Sequence, residues 1–520
     1  MFEVLQAQDT IWSLTYALCL AVGISRVSIL LQSYQARRAL SHIPNVGHGG
    51  IFTSYITFMQ YMKNARSVLW KGFDQYKETG LFKIPQADRW IVIATGDSVE
   101  DIRAAPDTSL SLEAAMIDLL QSDYTLGKEI RMDMYHLGIF RGILTKKLPV
   151  TCTAMNDEIP LCFKDMIDSQ LSSDNDWASI PANDVFTKFI CRVMNRTFVG
   201  APLCRDEDYT NINIYFAHHV MFGSTIINIF PDFLKPIVGA LFNKISGLQK
   251  RIVAHVGPLI RERRAVEAAG KEKPDDMLSW LMDAAPAGHQ SVESLSLRLL
   301  NVNFMALHTT AMTFTHAVFH LASKTEYIGL LRTELEQELG TNDPQRWDKE
   351  KIERCWKLDS FLKESQRLNG LGAFSLPRKS LTPYRFSNGC EIPAGTTIAA
   401  SPVIAHLDPT IYDDPSTFDG LRFYKLRESA VTQSGMDTPD EIKYRLTSTG
   451  AGYLGYGGGR HACPGRFFAA LEIKLIFAYL ILNYDVRTEV EGVRPDDLWF
   501  GPVCTPSRSG KVLFRRRVTV

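Results

Sequence analysis

The stretch Gly455-Tyr-Gly-Gly-Gly-Arg-His-Ala-Cys463-Pro-Gly465-Arg-Phe-Phe468 decides how the rest of the chain is interpreted. Four glycines in five positions predict a tight loop in which a Cβ atom would be in the way. The residues that follow have the spacing of a helix, with an apolar face made of Phe467, Leu471, Leu475 and Ala478. Cys463 is therefore predicted at a glycine loop leading into a helix N-terminus, with Pro464 near the first turn. Unpaired N–H groups and the helix dipole favour a thiolate there.

Two other interpretations of this loop compete with a functional cysteine. Gly457-Gly-Gly459-Arg-His-Ala462 fits the G-x-G-x-x-A pattern of a dinucleotide-binding turn, which must follow a buried strand. The preceding segment, Leu446-Thr-Ser-Thr-Gly-Ala-Gly452, has no strand pattern, so the dinucleotide interpretation is excluded. A purely structural cysteine stays open on this loop alone, whereas a thiolate in such a loop suits an iron ligand.

The loop resembles the haem-binding loop of the cytochrome P-450 superfamily, Phe-x-x-Gly-x-Arg-x-Cys-x-Gly. The glycines and Cys463 match, while Tyr456 stands at the phenylalanine position and His461 at the arginine position. The Arg-His-Ala-Cys-Pro-Gly-Arg-Phe-Phe-Ala form is similar to many fungal members. The resemblance implies haem b (heme) as the cofactor, with Cys463 as the axial thiolate ligand of the iron. It also places Tyr456, Gly457 and His461 around the cofactor. An electron-rich thiolate favours O–O cleavage.

Two arginines are candidates for binding the haem propionates. Arg141 ends Tyr135-His-Leu-Gly-Ile-Phe-Arg141, a helix-like stretch similar to the family's Trp-x-x-x-Arg, although the tryptophan is absent. Arg378 follows Pro377 at the position that the resemblance assigns to the second propionate. Arginine suits this role because its fork binds a carboxylate in a bidentate manner. The alternative for Arg141 is a surface arginine on a basic helix.

The longest predicted helix runs from Ser291, a suitable N-cap, to Ala322. Its middle, Met305-Ala-Leu-His308-Thr309-Thr310, resembles the family's oxygen-activating stretch, Ala/Gly-Gly-x-acid-Thr-Thr. The resemblance makes Thr309 a proton-relaying hydroxyl and puts His308 in the place of the acid. A neutral imidazole can shuttle protons near neutral pH. The alternative is a Thr-Thr pair that bonds back to its own helix carbonyls.

Two further pairs have helical spacing. Glu364 and Arg367 lie three residues apart and match the family's Glu-x-x-Arg motif. The resemblance implies that Arg422 joins this pair in a structural cluster, which holds the cysteine loop in place. His316 and His320 have a spacing that can bind zinc. No H-E-x-x-H glutamate or third ligand accompanies them, so ordinary core or surface histidines are favoured.

The overall composition is that of an ordinary globular protein. The chain has 520 residues, 45% of them hydrophobic and 22% charged, with no net charge and therefore no indication of nucleic acid binding. Nine scattered cysteines without a C-x-x-C pair predict a reduced, cytosol-facing protein. Short strand-like runs at Trp90–Ala94, Thr396–Ser401 and Lys511–Phe514 accompany a mostly helical pattern. The predicted fold class is mainly α with small β-sheets (α+β), which agrees with the implied cytochrome P-450 fold.

The apolar stretch from Ile11 to Leu31 predicts an N-terminal membrane-anchor helix. Arg26 interrupts it, so either this side chain snorkels to the interface or the helix lies partly in the membrane surface. Acidic residues before the stretch and basic residues after it favour a single-pass anchor with the rest of the chain cytosolic, and a cleaved signal peptide is the alternative. A predicted turn at residues 43–47 separates residues 1–42, the anchor and its basic flank, from a single catalytic domain, residues 43–520.

Together these features predict a membrane-anchored haem-thiolate monooxygenase of the fungal microsomal type, located in the endoplasmic reticulum membrane. The resemblance implies NADPH-derived electrons from a separate reductase flavoprotein and a hydrophobic substrate, a terpenoid or related fungal secondary metabolite. Candidates for a basic face that binds an acidic reductase are Arg131, Lys146, Lys147, Arg460 and Lys474. A haem-thiolate isomerase or dehydratase, and a non-catalytic haem- or lipid-binding membrane protein, stay open as alternatives.

Overall fold

The fold is mainly helical in the computed structural model, which describes residues 2–173, 176–434 and 439–517. The helices are α1 (Phe2–Ala39), α2 (Ser54–Lys63), α3 (Ala65–Tyr76), α4 (Ser98–Ala104), α5 (Leu112–Leu120), α6 (Lys128–Met132), α7 (Tyr135–Ile139), α8 (Leu148–Met166), α9 (Ala182–Phe198), α10 (Glu207–Ile227), α11 (Lys235–Ser246), α12 (Leu248–Ala268), α13 (Met277–Ala284), α14 (Val292–Ser323), α15 (Glu326–Leu339), α16 (Lys349–Glu353), α17 (Trp356–Leu368), α18 (Pro402–Ala405), α19 (Arg422–Ser434) and α20 (Arg466–Asn483). The strands are β1 (Leu81–Pro85), β2 (Trp90–Ala94), β3 (Leu110–Ser111), β4 (Ala178–Pro181), β5 (Ser375–Ser380), β6 (Tyr384–Arg385), β7 (Glu391–Ile392), β8 (Thr397–Ala400), β9 (Tyr484–Thr488), β10 (Leu498–Phe500), β11 (Val503–Thr505) and β12 (Lys511–Arg516).

The strands form small sheets at the edge of the helical body. The largest has the order β1-β2-β8-β5-β3, in which β2 and β8 pair in parallel with Ile91 opposite Thr397. A three-stranded antiparallel sheet has the order β4-β12-β9, and β6–β7 and β10–β11 form separate pairs. The three predicted strand segments correspond to β2, β8 and β12, which confirms the mainly helical fold with small sheets.

Helix α14 runs through the core. Its predicted N-cap is confirmed, because Ser291 Oγ accepts the N–H of Ser294 at 3.0 Å. The helix packs against α9, α10, α12 and α17, so most of its faces are covered. Between residues 294 and 323, Met305 and Thr309 are the exposed residues. They lie one turn apart on the same face, and an open space therefore borders the middle of this otherwise buried helix.

A buried ion cluster joins α17 to the start of α19. Glu364 is fully buried and accepts hydrogen bonds from Arg367 Nε and Nη2, both at 2.7 Å, and from Arg422 Nε at 3.1 Å. The predicted three-membered cluster is therefore present. Removing one partner from such a buried cluster typically costs about 3–5 kcal/mol, because the remaining charge is left unpaired.

The N-terminal helix α1 differs from the predicted anchor. Among the helices of the described ranges, none is both long enough and apolar enough to cross a bilayer. The anchor predicted over residues 11–31 is therefore not confirmed. Exposed apolar side chains do recur every fourth residue along α1, at Trp12, Tyr16, Leu20 and Ile24. The division of the chain at residue 42 stays a prediction.

Candidate functional site

The glycine loop folds back on itself around Cys463. The Cys463 N–H donates to the Tyr456 carbonyl at 2.9 Å. Gly457 and Gly459 have φ angles of 70° and 64°, in the left-handed region that favours glycine. A Cβ on Gly459 would lie 2.4 Å from the carbonyl oxygen of Arg103 in α4. The loop therefore needs glycine both for its backbone conformation and for its close contact with α4.

The environment of the Cys463 sulfur acts on its pKa in two opposite ways. Burial raises the pKa most strongly, while the backbone N–H groups of Gly465 and Arg466 and the Arg466 charge lower it. The net pKa of Cys463 is raised. The predicted N–H donors are therefore present, but the predicted lowering of the Cys463 pKa is wrong. Desolvation disfavours the charged thiolate more strongly than the donors favour it. A metal cation on the sulfur reverses this balance, since a coordinating thiol is deprotonated.

Gln366 of α17 ties the loop to the helix below it. The Tyr453 hydroxyl donates to Gln366 Oε1 at 2.6 Å, and the Tyr456 hydroxyl hydrogen-bonds to the same side chain. A Cβ on Gly455 would lie 2.6 Å from this Oε1. Burial raises the pKa of Tyr456, so the phenol stays neutral. The tyrosine at the family's phenylalanine position is accommodated because its hydroxyl has a buried polar partner.

His406, which the sequence analysis did not single out, fastens the start of the loop. Its Nε2 accepts the N–H of Leu454 at 2.8 Å, and its Nδ1–H donates to the Arg367 carbonyl at 3.0 Å. Burial lowers the pKa of His406 to about 3, so the ring is neutral and both of its nitrogens are used. No local pattern predicts this role, because both partners are distant in sequence.

Arg378 has a buried guanidinium without an ion-paired carboxylate in the part of the chain that the structure describes. It is 2% exposed, and its Nη1 donates to the Pro377 carbonyl at 2.8 Å. Within the described ranges no carboxylate lies at ion-pair distance from it, although the charge of Asp107 acts on it. Burial lowers the pKa of Arg378. Because a buried charge is costly unless it is paired, this position is suited to the carboxylate of a ligand.

His461 lies within the loop, and Arg141 lies in a neighbouring segment. His461 Nε2 lies 2.5 Å from Asp107 Oδ1. Arg141 is exposed in a wide helical turn at residues 140–144, which follows α7. Its neighbour Phe140 would lie 3.5 Å from a Cβ on Gly465. The structure thus links His461 of the loop to Asp107, whose charge also acts on Arg378, and places the neighbour of Arg141 against Gly465.

The two predicted relay residues of α14 point in different directions. Thr309 is on the exposed patch with Met305, and its hydroxyl donates to the Ala306 carbonyl at 3.3 Å. This is the back-bonded geometry of the alternative interpretation, yet the oxygen keeps lone pairs that can accept a hydrogen bond. His308 contacts α10 instead, where its Nε2 donates to the Ile214 carbonyl at 3.0 Å. Burial lowers the pKa of His308.

Two details of the sequence predictions are wrong. Lys474 cannot contribute to a basic surface, because it is buried in an ion pair with Asp359. Phe467 is 36% exposed and packs on the Arg466 guanidinium, so it is not part of the buried face of α20. The predicted place of Pro464 near the start of the helix is confirmed, since α20 begins at Arg466, two residues later.

A second cluster of metal-ligand residue types lies away from the loop. His316, Asp497 and Cys504 place their ligand atoms within 4.8 Å of one another, and His320 is not one of the three. Arg494 Nη2 lies 2.9 Å from both His316 Nδ1 and Asp497 Oδ1. The Arg494 guanidinium therefore bridges His316 and Asp497, and the cluster is a buried ion-pair network. A zinc site built on His316 and His320 is not supported.

Comparison with known proteins assigns the family. Residues 143–514 match the family described as Cytochrome P450. The chain belongs to the cytochrome P450 family. It is 36% identical over 487 residues to cytochrome P450 monooxygenase 151 of Postia placenta, covering 92% of this chain and 95% of that protein. It is 29% identical over 520 residues to cytochrome P450 monooxygenase CYP512U6 of Ganoderma lucidum, covering 99% and 98%. It is 34% identical over 475 residues to cytochrome P450 monooxygenase paxP of Penicillium paxilli, covering 88% and 87%.

This P450 is a monooxygenase of the fungal type, whose family uses haem with a cysteine-thiolate ligand, a redox partner and hydrophobic substrates. Three observations fit the haem. Met305 and Thr309 form an exposed patch in the middle of the otherwise buried helix α14. The Arg378 guanidinium is buried without an ion-paired carboxylate among the described residues. The glycine loop presents Cys463 with two backbone N–H donors on its sulfur.

Proposed function

We propose that Cys463 would ligate the haem iron in a monooxygenase that oxidises a hydrophobic small molecule, a terpenoid or related fungal secondary metabolite. Electrons come from NADPH through a separate reductase flavoprotein. Two observations carry the proposal: the glycine loop that holds Cys463, and the buried Arg378 guanidinium, which has no ion-paired carboxylate among the described residues. The haem, when bound, supplies the activation of dioxygen.

The residues of the chain hold and orient the cofactor. Arg378 and Arg141 would bind the two propionates, for which guanidinium forks are well shaped. The N–H groups of Gly465 and Arg466 hydrogen-bond to the Cys463 sulfur and would orient it as a ligand. Hydrogen bonds to a ligating sulfur also tune the iron. His406 keeps the loop at a fixed distance from α17 through its two backbone hydrogen bonds.

Thr309 is the residue of this chain best placed to hold a proton near the reaction. Its hydroxyl is exposed to the open space and can accept one hydrogen bond while it donates to Ala306. His308 Nε2 is occupied by Ile214, so any proton exchange by this ring takes place at Nδ1. Participation of His308 in proton delivery stays a prediction.

The proposed substrate class rests on the loop and on the site. The Arg-His-Ala-Cys loop and the His308-Thr-Thr variant resemble fungal oxidases of terpenoid pathways, including the kaurene-oxidase-like group. The relatives are fungal P450 monooxygenases. Met305 offers an apolar wall next to Thr309 on the exposed patch. These features support a bulky apolar substrate.

We place this P450 at the endoplasmic reticulum membrane with its catalytic domain in the cytosol. Exposed apolar side chains recur along α11 at Ile237, Leu241 and Ile245, which are 65%, 57% and 75% exposed. Together with the exposed apolar positions of α1, they form surface suited to a lipid interface. Lys146 and Arg460 are exposed and stay candidates for the reductase-facing surface.

The ligand assignment is tested by the absorption spectrum of the dithionite-reduced protein with carbon monoxide. A strongly red-shifted Soret band in the wild type, lost in Cys463→Ala, is expected. The matched control is Cys504→Ala, because Cys504 is a buried cysteine of the same C-terminal region outside the glycine loop. Loss of the band in the Cys504 variant, or its persistence in the Cys463 variant, contradicts the assignment.

The reaction is tested with the reconstituted enzyme, a P450 reductase and a panel of terpenoids. Products that require both NADPH and O₂ are expected. Turnover without NADPH favours a haem-thiolate isomerase or dehydratase. A protein that binds haem but turns over no apolar substrate favours a non-catalytic role.

A further inference from the structure

We propose that Asp107 is a positioning residue that holds His461 in the orientation in which it meets the haem. The inference deepens the proposed function and rests on it. Its basis is the 2.5 Å contact between Asp107 Oδ1 and His461 Nε2, at the loop position where the family usually has arginine.

The segment that carries Asp107 touches the cysteine loop at two points. The first is Arg103, whose carbonyl oxygen would lie 2.4 Å from a Cβ on Gly459 and whose Nε would lie 2.6 Å from a Cβ on Gly458. The second is the Asp107 carboxylate on His461. A backbone contact and a side-chain contact from one short segment fix the loop better than either alone.

The chemistry of the two side chains explains why a histidine needs this partner. Arginine has five N–H donors on a long stem and can reach a carboxylate without help. Imidazole is short, and its two nitrogens lie on opposite edges of one ring. With Nε2 held by Asp107, the ring plane is fixed, and Nδ1 is its polar atom for the other side. A carboxylate on one ring nitrogen commonly orients a histidine in this way.

A competing role for Asp107 follows from the same contacts. Its charge also acts on Arg378, so the carboxylate could occupy the place of a propionate and hinder haem binding. The two roles predict opposite effects of removing the charge. Asp107→Asn weakens haem retention if Asp107 positions His461, and strengthens it if Asp107 competes with the cofactor.

The test measures the rate of haem transfer from the purified, haem-loaded protein to excess apomyoglobin. Asp107→Asn should lose haem about threefold to tenfold faster, a modest effect because the Asp107 side chain is 53% exposed. Asp107→Glu should restore most of the retention. The matched control is Asp208→Asn, since Asp208 is 51% exposed and contacts a histidine, His255, at 2.8 Å.

A double-mutant cycle shows whether Asp107 acts through His461. In a His461→Leu background, Asp107→Asn should change the rate by less than about twofold, because the partner is already gone. The reduced carbon monoxide spectrum of each variant reports whether the thiolate ligand is intact, and thermal unfolding reports whether the chain is folded.

Each outcome has one meaning. Equal or slower haem loss in Asp107→Asn overturns the proposal, as does a full effect that persists without His461. A wild-type protein that shows no thiolate-haem spectrum refutes the proposed function itself. A normal wild-type spectrum with no effect of Asp107→Asn refutes the positioning role alone.

Discussion

Replacing His406 by phenylalanine should loosen the cysteine loop. His406 is 1% exposed, and its ring stacks on Tyr453 with centroids 5.2 Å apart. Phenylalanine keeps the ring but removes both nitrogens, so the Leu454 N–H and the Arg367 carbonyl lose their partners. Each buried group left unpaired costs about 1–3 kcal/mol, which makes about 2–6 kcal/mol in all. A typical domain has only about 5–15 kcal/mol of stability.

The assay is urea denaturation, followed by the Soret band and by circular dichroism. His406→Phe should unfold at a lower urea concentration and release haem before its secondary structure is lost. The control is His42→Phe, because His42 is exposed and its Nε2 contacts the Glu391 carbonyl at 2.7 Å. An unfolding midpoint for His406→Phe equal to that of the control contradicts the reasoning.

The same histidine gives a pH dependence with a defined sign. The pKa of His406 is about 3 in the folded chain and 6.5 as an ordinary value. Between these values the unfolded state binds more protons, so the free energy of unfolding falls as the pH decreases from about 6.5 to 3. The loss is up to about 4–5 kcal/mol at the low end. His406→Phe should flatten this slope relative to wild type, and an unchanged slope places the acid sensitivity elsewhere.

Three further changes test the loop, the relay and the ion cluster. Gly459→Ala should destabilise the haem-bound protein by more than Gly492→Ala. Both positions have a positive φ, 64° and 73°, but a Cβ at Gly459 would also meet a backbone oxygen. Equal melting temperatures for the two variants would contradict the close contact. Thr309→Ala should lower the product formed per NADPH consumed by at least about tenfold, while the substrate binding spectra stay unchanged. If this variant forms as much product per NADPH as the wild type, Thr309 has no part in proton delivery. Glu364→Gln should remove the carboxylate partner of the buried Arg367 and the half-buried Arg422 and cost about 3–5 kcal/mol, which would give haem-free or insoluble protein. A stable, haem-loaded variant shows that the cluster is dispensable.

The parts that the sequence predicted well are those with local signals. The N-cap Ser291, the helix after the cysteine loop and the strand Trp90–Ala94 follow from spacing and residue type. The pair of Glu364 and Arg367 also has a local signal, because helical residues three positions apart are neighbours.

The parts that failed depend on burial or on distant partners. Lys474 has the composition of a surface residue, but a long-range contact with Asp359 buries it. The pKa of Cys463 depends on how much protein covers the sulfur, and a helix N-terminus alone does not determine it. His406 has partners 39 and 48 positions away in sequence, so no periodicity can reveal it.

The histidine at position 461 shows how a departure from a family pattern can be compensated from far away. When the loop motif is considered alone, histidine in place of arginine at position 461 removes a guanidinium from the expected surroundings of the cofactor. In the folded chain, Asp107 lies 354 positions earlier and contacts the ring directly. The buried Arg378 supplies a guanidinium that no carboxylate of the described residues pairs with, although the Asp107 charge acts on it. In the proposed haem site, recognition of the propionates would therefore depend on three residues from three parts of the chain, and a single motif position is a poor measure of it.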